Sequence, residues 1–348
     1  MVLTLGDAAP HQGLVMGATD TPSVADRIRP IAAEAPVVGV HFLGSTAVFV
    51  LGAEALLFAA EDGKPQRVAV HGGAILAAAC DGERLVTGGD DGKVAAAKRD
   101  MTTVAIAADP RHRWIDHVAI APDGTVAWSA GNDVFVQSRH GAPRRLEAPS
   151  TVGGLALAPK GLRLAIAHYH GVTLWFPNAA AAPERLEWKG SHLDVTFSPD
   201  GRYLVTAMQE PALHGWRLVD GKHMRMSGYS AKVRAMAWTA DGKALATSGA
   251  PQLIVWPFQG KDGPMGKEPR MLASAEHNVS VVACHPQKDV TAVGYEDGLA
   301  LLVRMSDGAE VLAHRPGGSP ISALAWDSAG ATLAFGTEDG EAGVINLS

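Results

Sequence analysis

Apolar residues recur along this chain in short alternating runs, not at the three-and-four spacing of a buried helix face. In HLDVTFSPDG (192–201), Val195 and Phe197 alternate with polar or small neighbours, the period of two that marks a half-buried strand. Ser198-Pro199-Asp200-Gly201 then predicts a tight turn. Proline presets φ, aspartate bonds its own backbone and glycine accepts a positive φ. Tyr203, Leu204 and Val205 restart a strand, and MQEPALHGW (208–216) carries the chain through a loop into a third.

The same pattern recurs along almost the whole chain. Its first-strand positions are Val37, Ile75, Ile115, Val152, His192, Val233, Val279 and Ile321, spaced by 38, 40, 37, 40, 41, 46 and 42 residues. Three residues further on stand Val40, Ala78, Val118, Leu155, Val195, Met236, Val282 and Leu324. Two beyond those stand Phe42, Cys80, Ile120, Leu157, Phe197, Trp238, Cys284 and Trp326. The turn repeats as CDGE (80–83), APDG (121–124), SPDG (198–201) and TADG (239–242), with degenerate forms APKG (158–161), HPQK (285–288) and DSAG (327–330). Loops such as GGDDG (88–92), GYEDG (294–298) and GTEDG (336–340) precede a third strand, and runs such as RRLEA (144–148) and EVLAH (310–314) predict a fourth. A period near 40 residues carrying several short strands is the pattern of a β-propeller.

The SPDG-type turns, the Asp-Gly before the third strand and the tryptophan closing it (Trp175, Trp216, Trp256) resemble the WD40-repeat family, over roughly residues 25–348. The resemblance implies an all-β, WD40-like propeller, built here from eight four-stranded blades. The alternative is seven, because the copy at 37–73 has LGST in place of an Asp-Gly turn. The family's Gly-His pair is not intact, Gly190-Ser191-His192 being nearest, and its terminal Trp-Asp pair is absent. The buried His–Asp–Ser–Trp hydrogen-bond set is therefore expected to be missing, leaving stability to packing between repeats. The last copy lacks a fourth strand, and DRIRPIAAEAP (26–36) resembles the fourth strands elsewhere. This N-terminal segment is expected to complete the last blade and close the ring, which removes an exposed sheet edge. Residues 1–21 match nothing and read as a tail, and 22–348 read as one propeller domain.

Composition narrows the function. Of 348 residues 47% are hydrophobic and 19% charged, and the net charge is −6, so nucleic acid is not the expected partner. Two cysteines, Cys80 and Cys284, are too few for a disulfide framework and fall in an otherwise apolar column, where they read as small buried hydrophobes. MVLTLGDAAPHQG lacks the pattern of a signal peptide, and no run of 18 apolar residues spans a membrane. A cytoplasmic monomer without cofactor is expected.

In WD40-like propellers the loops from second to third strand, and from the fourth to the next first strand, share one face. On that face Glu54, Asp90, Asp91, Glu296, Asp297, Glu338 and Asp339 form an acidic arc. Arg111, His112, Arg113, Trp114, His168, Tyr169, His170, His192, Tyr229 and Lys232 form a basic, aromatic one. Arg, Trp and Tyr are the types enriched among interface anchors. Arg111, Arg113, Trp114, His168, Tyr169, His170, His192, Tyr229 and Lys232 are the candidate partner-binding residues, against the plainer reading that such loop residues are simply solvated. His168, His170 and His192 are also a weaker candidate Zn²⁺ set, although their spacing matches no known ligand motif. GKDGPMGK (260–267) has one residue too many for a phosphate loop, and Glu268 stands where it needs Ser or Thr.

The leading expectation is a non-enzymatic scaffold that binds a protein or peptide on this loop face, which the WD40 resemblance implies. One alternative is a propeller enzyme with a channel-mouth site, lactonase- or quinoprotein-like. The other is a metal- or small-ligand-binding domain using the three histidines.

Overall fold

The computed structural model describes residues 2–4, 21–61 and 63–348. The described chain is all-β apart from one short 3₁₀ turn, Ala25–Arg27. Its strands form seven sheets, six of four strands and one of seven. The eight separate four-stranded blades expected from the eight sequence copies give way to this count of seven. The cause lies between the fourth and fifth copies. There Leu164–Trp175 and Glu184–Phe197 run on without a break, and Tyr169 pairs with Ser191, so both copies fall in one sheet.

By contact density the chain divides into two compact units. One consists of His41–Glu210 and His214–His223. Here Ile75–Cys80 pairs with Arg84–Gly89, and His117–Ile120 with Val126–Ala130, each antiparallel across its turn. The turns work as the sequence suggests. The Ser198 hydroxyl donates to Asp200 and accepts the Tyr203 N–H, while Gly201 takes φ +74°.

The other unit consists of Met1–Val40, Pro211–Leu213 and Met224–Ser348. In it Ile28–Ala32 lies antiparallel to Glu341–Asn346, with Ile28 opposite Ile345 and Ala32 opposite Glu341. The N-terminal segment thus supplies the strand that the last copy lacks. Val2–Thr4, part of the expected tail, pairs parallel with the His223–Ser227 strand through Arg225, Met226 and Ser227. Residues 1 and 5–20 of that tail lie outside the described residues.

The first-strand column has a packing partner of its own. On the second strand Gly88, Gly294 and Gly336 stand against Ile115, Ile321 and Val37. A Cβ on any of these glycines would come within 2.3–2.6 Å of its neighbour's side chain. The apolar first residue of each following copy needs that space, and filling it would force the packed sheets apart. Alanine or serine holds the same place in other copies, with Ala167 opposite Gly154 and Ser129 opposite His117.

Candidate functional site

The lead-in to the third copy, Asp109–Trp114, is organised by a buried aspartate. Asp109 Oδ2 accepts the backbone N–H groups of Arg111 and Arg113, and the Arg113 guanidinium closes a fork on both its oxygens at 2.7 and 3.1 Å. His112 takes a positive φ of 51° at the crest. Arg113 also donates to Asp133 at 2.8 Å, Arg111 joins it at 3.0 Å, and Arg145 donates to the other Asp133 oxygen. Asp133 is only 2% exposed. The Arg113 hydrogen bonds hold the Asp109 carboxyl at about 2, well below its ordinary value. Glu147 lies 3.8 Å from Arg145, so three guanidinium groups face three carboxylates.

This lead-in is therefore rigid and close to charge-neutral. Arg113 is a structural clamp rather than a free contact. Arg111 and Arg145 keep exposed heads with donors to spare. Beside them Trp114 is 61% exposed, which for a residue of that size asks for an explanation.

The hairpin of the fourth copy follows through the 148–152 connector, where Val152 N–H bonds Gly131 O and Ser150 Oγ accepts the Tyr169 N–H. Tyr169 is 53% exposed and its ring lies 3.9 Å from that of His170. His168 is buried: Nδ1 donates to Tyr169 O, leaving Nε2 to accept from Thr173 Oγ1. Desolvation lowers its pKa.

Three candidates move to the interior. His168 is the first. His192 is 1% exposed, with Nε2 donating to Trp188 O and Nδ1 accepting from Thr206 Oγ1 at 2.7 Å. Tyr229 is buried, accepting from Trp256 Nε1 at 2.6 Å and donating to Thr247 Oγ1 at 2.9 Å. Their polar atoms are consumed inside the fold, so none of the three is available to a partner. The nitrogens that His168 and His192 could offer a zinc ion are engaged by Thr173 and Thr206. Among the described residues no group of three His, Cys, Asp or Glu is placed to hold a metal ion.

Tyr229 shows what the sequence reading missed. The chain Trp256 → Tyr229 → Thr247 → Ile254 O is a buried hydrogen-bond set with tyrosine where the family expectation looks for histidine. A second set joins His71 to Asp91 at 2.9 Å and to Thr87 at 2.8 Å. The set expected to be absent is thus present in two altered forms. Its trace in the sequence is the residue four before the first-strand column, His71 and Tyr229, together with Thr87 and Thr247.

Three members of the acidic arc serve turns. Asp91 serves His71 and the Gly72 and Lys93 N–H groups, Asp297 the Leu299 N–H, and Asp339 the Thr337 hydroxyl. Cys80 and Cys284 are unpaired thiols, and burial pushes the Cys284 thiol up to about 11. Lys232 is exposed and lines a small cleft with Arg234, Asn278 and Glu296.

No family model matches the chain. It is similar to WD repeat-containing protein 1-B of Xenopus laevis, 28% identical over 111 residues. That stretch is 31% of this chain, and it spans 18% of the length of the frog protein. Among solved structures, the computationally designed Ika8 protein superposes with a TM-score of 0.71 at 16% identity, covering 90% of this chain and 97% of the designed one. Together with the sheets described above, these support a WD40-like β-propeller. No helix among the described residues is long and apolar enough to cross a membrane.

Proposed function

We propose that this protein is a non-enzymatic scaffold that holds a protein or peptide partner on the surface formed by Arg111, Trp114, Arg145 and Tyr169. The observation that carries the reading is the pairing of a largely exposed indole with a pre-built guanidinium cluster. Three arginines anchored on two buried aspartates lose little side-chain entropy when a partner docks, and pre-organisation of this kind favours binding. Trp114 and Tyr169 supply large apolar area at low entropic cost. The near balance of charge around Asp133 suits a protein surface better than a polyanion, which selects unpaired cations. The frog protein's WD repeats are consistent with such a role, and His170 stands at the rim of the same patch.

The reading favours scaffold over enzyme because the buried ionisable groups near the patch are committed to partners within the fold. Asp109, Asp133 and His168 all have their polar atoms occupied by the fold. The test is affinity capture from the source cell, comparing the wild type with Trp114→Ala/Tyr169→Ala. A partner retained by the wild type and lost from the double variant, which keeps its melting temperature, supports the reading. Retention of the same partner by both sinks it.

A further inference from the structure

A cleft of about 190 Å³ opens where the lead-in to the sixth copy meets the lead-in to the seventh. Lys232, Arg234 and Gly249 of the sixth copy line it together with Asn278, Val279, Ser280 and Glu296 of the seventh. The backbone around it is fixed. Ser248 Oγ accepts the N–H groups of both Arg234 and Ala235, at 3.0 and 2.9 Å. Gly249 takes φ +91°, and a Cβ there would come within 2.9 Å of the Ala231 and Lys232 carbonyl oxygens. Ser230 Oγ reaches Asn278 Oδ1 at 3.0 Å and so ties the two lead-ins together.

The side chains contrast with that order. Among the described residues neither Lys232 nor Arg234 has an ion-pair partner. Arg111, Arg113 and Arg145, by contrast, are each held by a carboxylate. Arg234 also stands alone by type. The residues that follow the first-strand position in the other copies are Val38, Leu76, Asp116, Gly153, Leu193, Ser280 and Ser322. Glu296, also in the lining, is exposed, and among the described residues its side chain meets only Asn278 Nδ2, at 3.4 Å.

We infer that this cleft binds an α-carboxylate that carries an N–H donor beside it, with the carboxylate on Arg234 and Lys232 and the donor on Glu296. The guanidinium fork matches a planar carboxylate, and such charge-assisted pairs are the stronger hydrogen bonds. The Glu296 carboxylate in the same lining selects against a dianion. The volume is that of about six waters, enough for one terminal residue. The shared chemistry is that of the C-terminal residue of a peptide and of a free N-acylated amino acid. The site stands independently of the Trp114 surface.

The test is calorimetric titration of the full chain with N-acetylglycine, with the peptide N-acetyl-Gly-Gly-Gly ending in a free acid, with the same peptide ending in a carboxamide, and with inorganic phosphate. Saturable binding of the free-acid probes, loss of binding with the carboxamide and about tenfold weakening in Arg234→Gln support the proposal. A preference for the tripeptide assigns a chain terminus, and equal binding of N-acetylglycine assigns a free small ligand. Three results overturn the inference: no binding of either acid, equal binding of acid and carboxamide, or tighter binding of phosphate. Arg234→Gln leaves the melting temperature unchanged if the side chain is as unpartnered as it stands, so its effect on affinity is separable from folding.

Discussion

Two lead-ins occupy the same place in the repeat and do different work. Asp109–Trp114 precedes Ile115, and Tyr229–Lys232 precedes Val233. Arg111 and Tyr229 are each four residues before the first-strand position, and Trp114 and Lys232 are each one before it. In the third copy the cations are tied down by Asp109 and Asp133, and an aromatic ring is left outside. In the sixth copy the aromatic ring is inside, bonded to Thr247 and Trp256, and the cations are left outside. The backbone of the repeat is shared, and the exchange of one aromatic for one cation turns a neutral clamped surface into an open charged cleft.

The contrast predicts unequal costs. Asp133→Ala is expected to be the most damaging change. It removes the buried carboxylate shared by three arginines and leaves the half-buried Arg113 head short of a partner, at a cost of about 3 kcal/mol in urea unfolding. A loss below about 1 kcal/mol would show that the clamp is ornamental. Tyr229→Phe comes next. It strands the Trp256 N–H in the interior and removes the hydrogen bond that Thr247 Oγ1 accepts, and thermal or urea unfolding should report a loss of about 1–2 kcal/mol.

The third prediction concerns acid. Asp109 is depressed from 3.8 to about 2 in the folded protein by the Arg113 hydrogen bonds, so the unfolded chain takes up its proton first. Its stabilisation is complete above about pH 4 and lost as pH falls through about 2. Asp109→Asn should flatten the pH dependence of the melting temperature in that window, and an unchanged slope would separate Asp109 from acid sensitivity. The smallest effect is expected at the other lead-in. Lys232→Gln and Arg234→Gln should each leave stability within about 0.5 kcal/mol of the wild type, because neither side chain has a partner to lose.

Much of the fold is legible in the sequence, because a period-two pattern closed by Asp-Gly turns leaves few alternatives. The pairing of the N-terminal segment with the last copy also follows from the missing fourth strand and the likeness of RIRPIAA (27–33) to its siblings. The count of sheets does not follow, because it depends on one register contact, Tyr169 with Ser191, that no periodicity marks. The candidate site is legible in its loops but not in its side chains. Sequence position places His168, His192 and Tyr229 on a loop face, yet whether a ring turns in or out depends on a hydroxyl across the sheet. Thr173, Thr206 and Thr247 supply those hydroxyls, and each draws its partner inward. Among the described residues Trp114 and Tyr169 have no such hydroxyl for their rings and remain exposed, while Arg111 is tethered to the buried Asp133 with its head still exposed. Asp133 and Arg145 escape the sequence reading because they meet Arg113 only through the fold.

The most direct test of the scaffold account is site-specific photo-crosslinking in the source cell. A benzophenone amino acid would replace Trp114 in one protein and Val219, an 86% exposed aliphatic residue in the turn between Arg217 and Asp220, in another. The account predicts a discrete protein adduct from position 114 that disappears in Arg111→Glu/Arg145→Glu, and none from position 219. The same adducts from both positions, or none from 114, would contradict it.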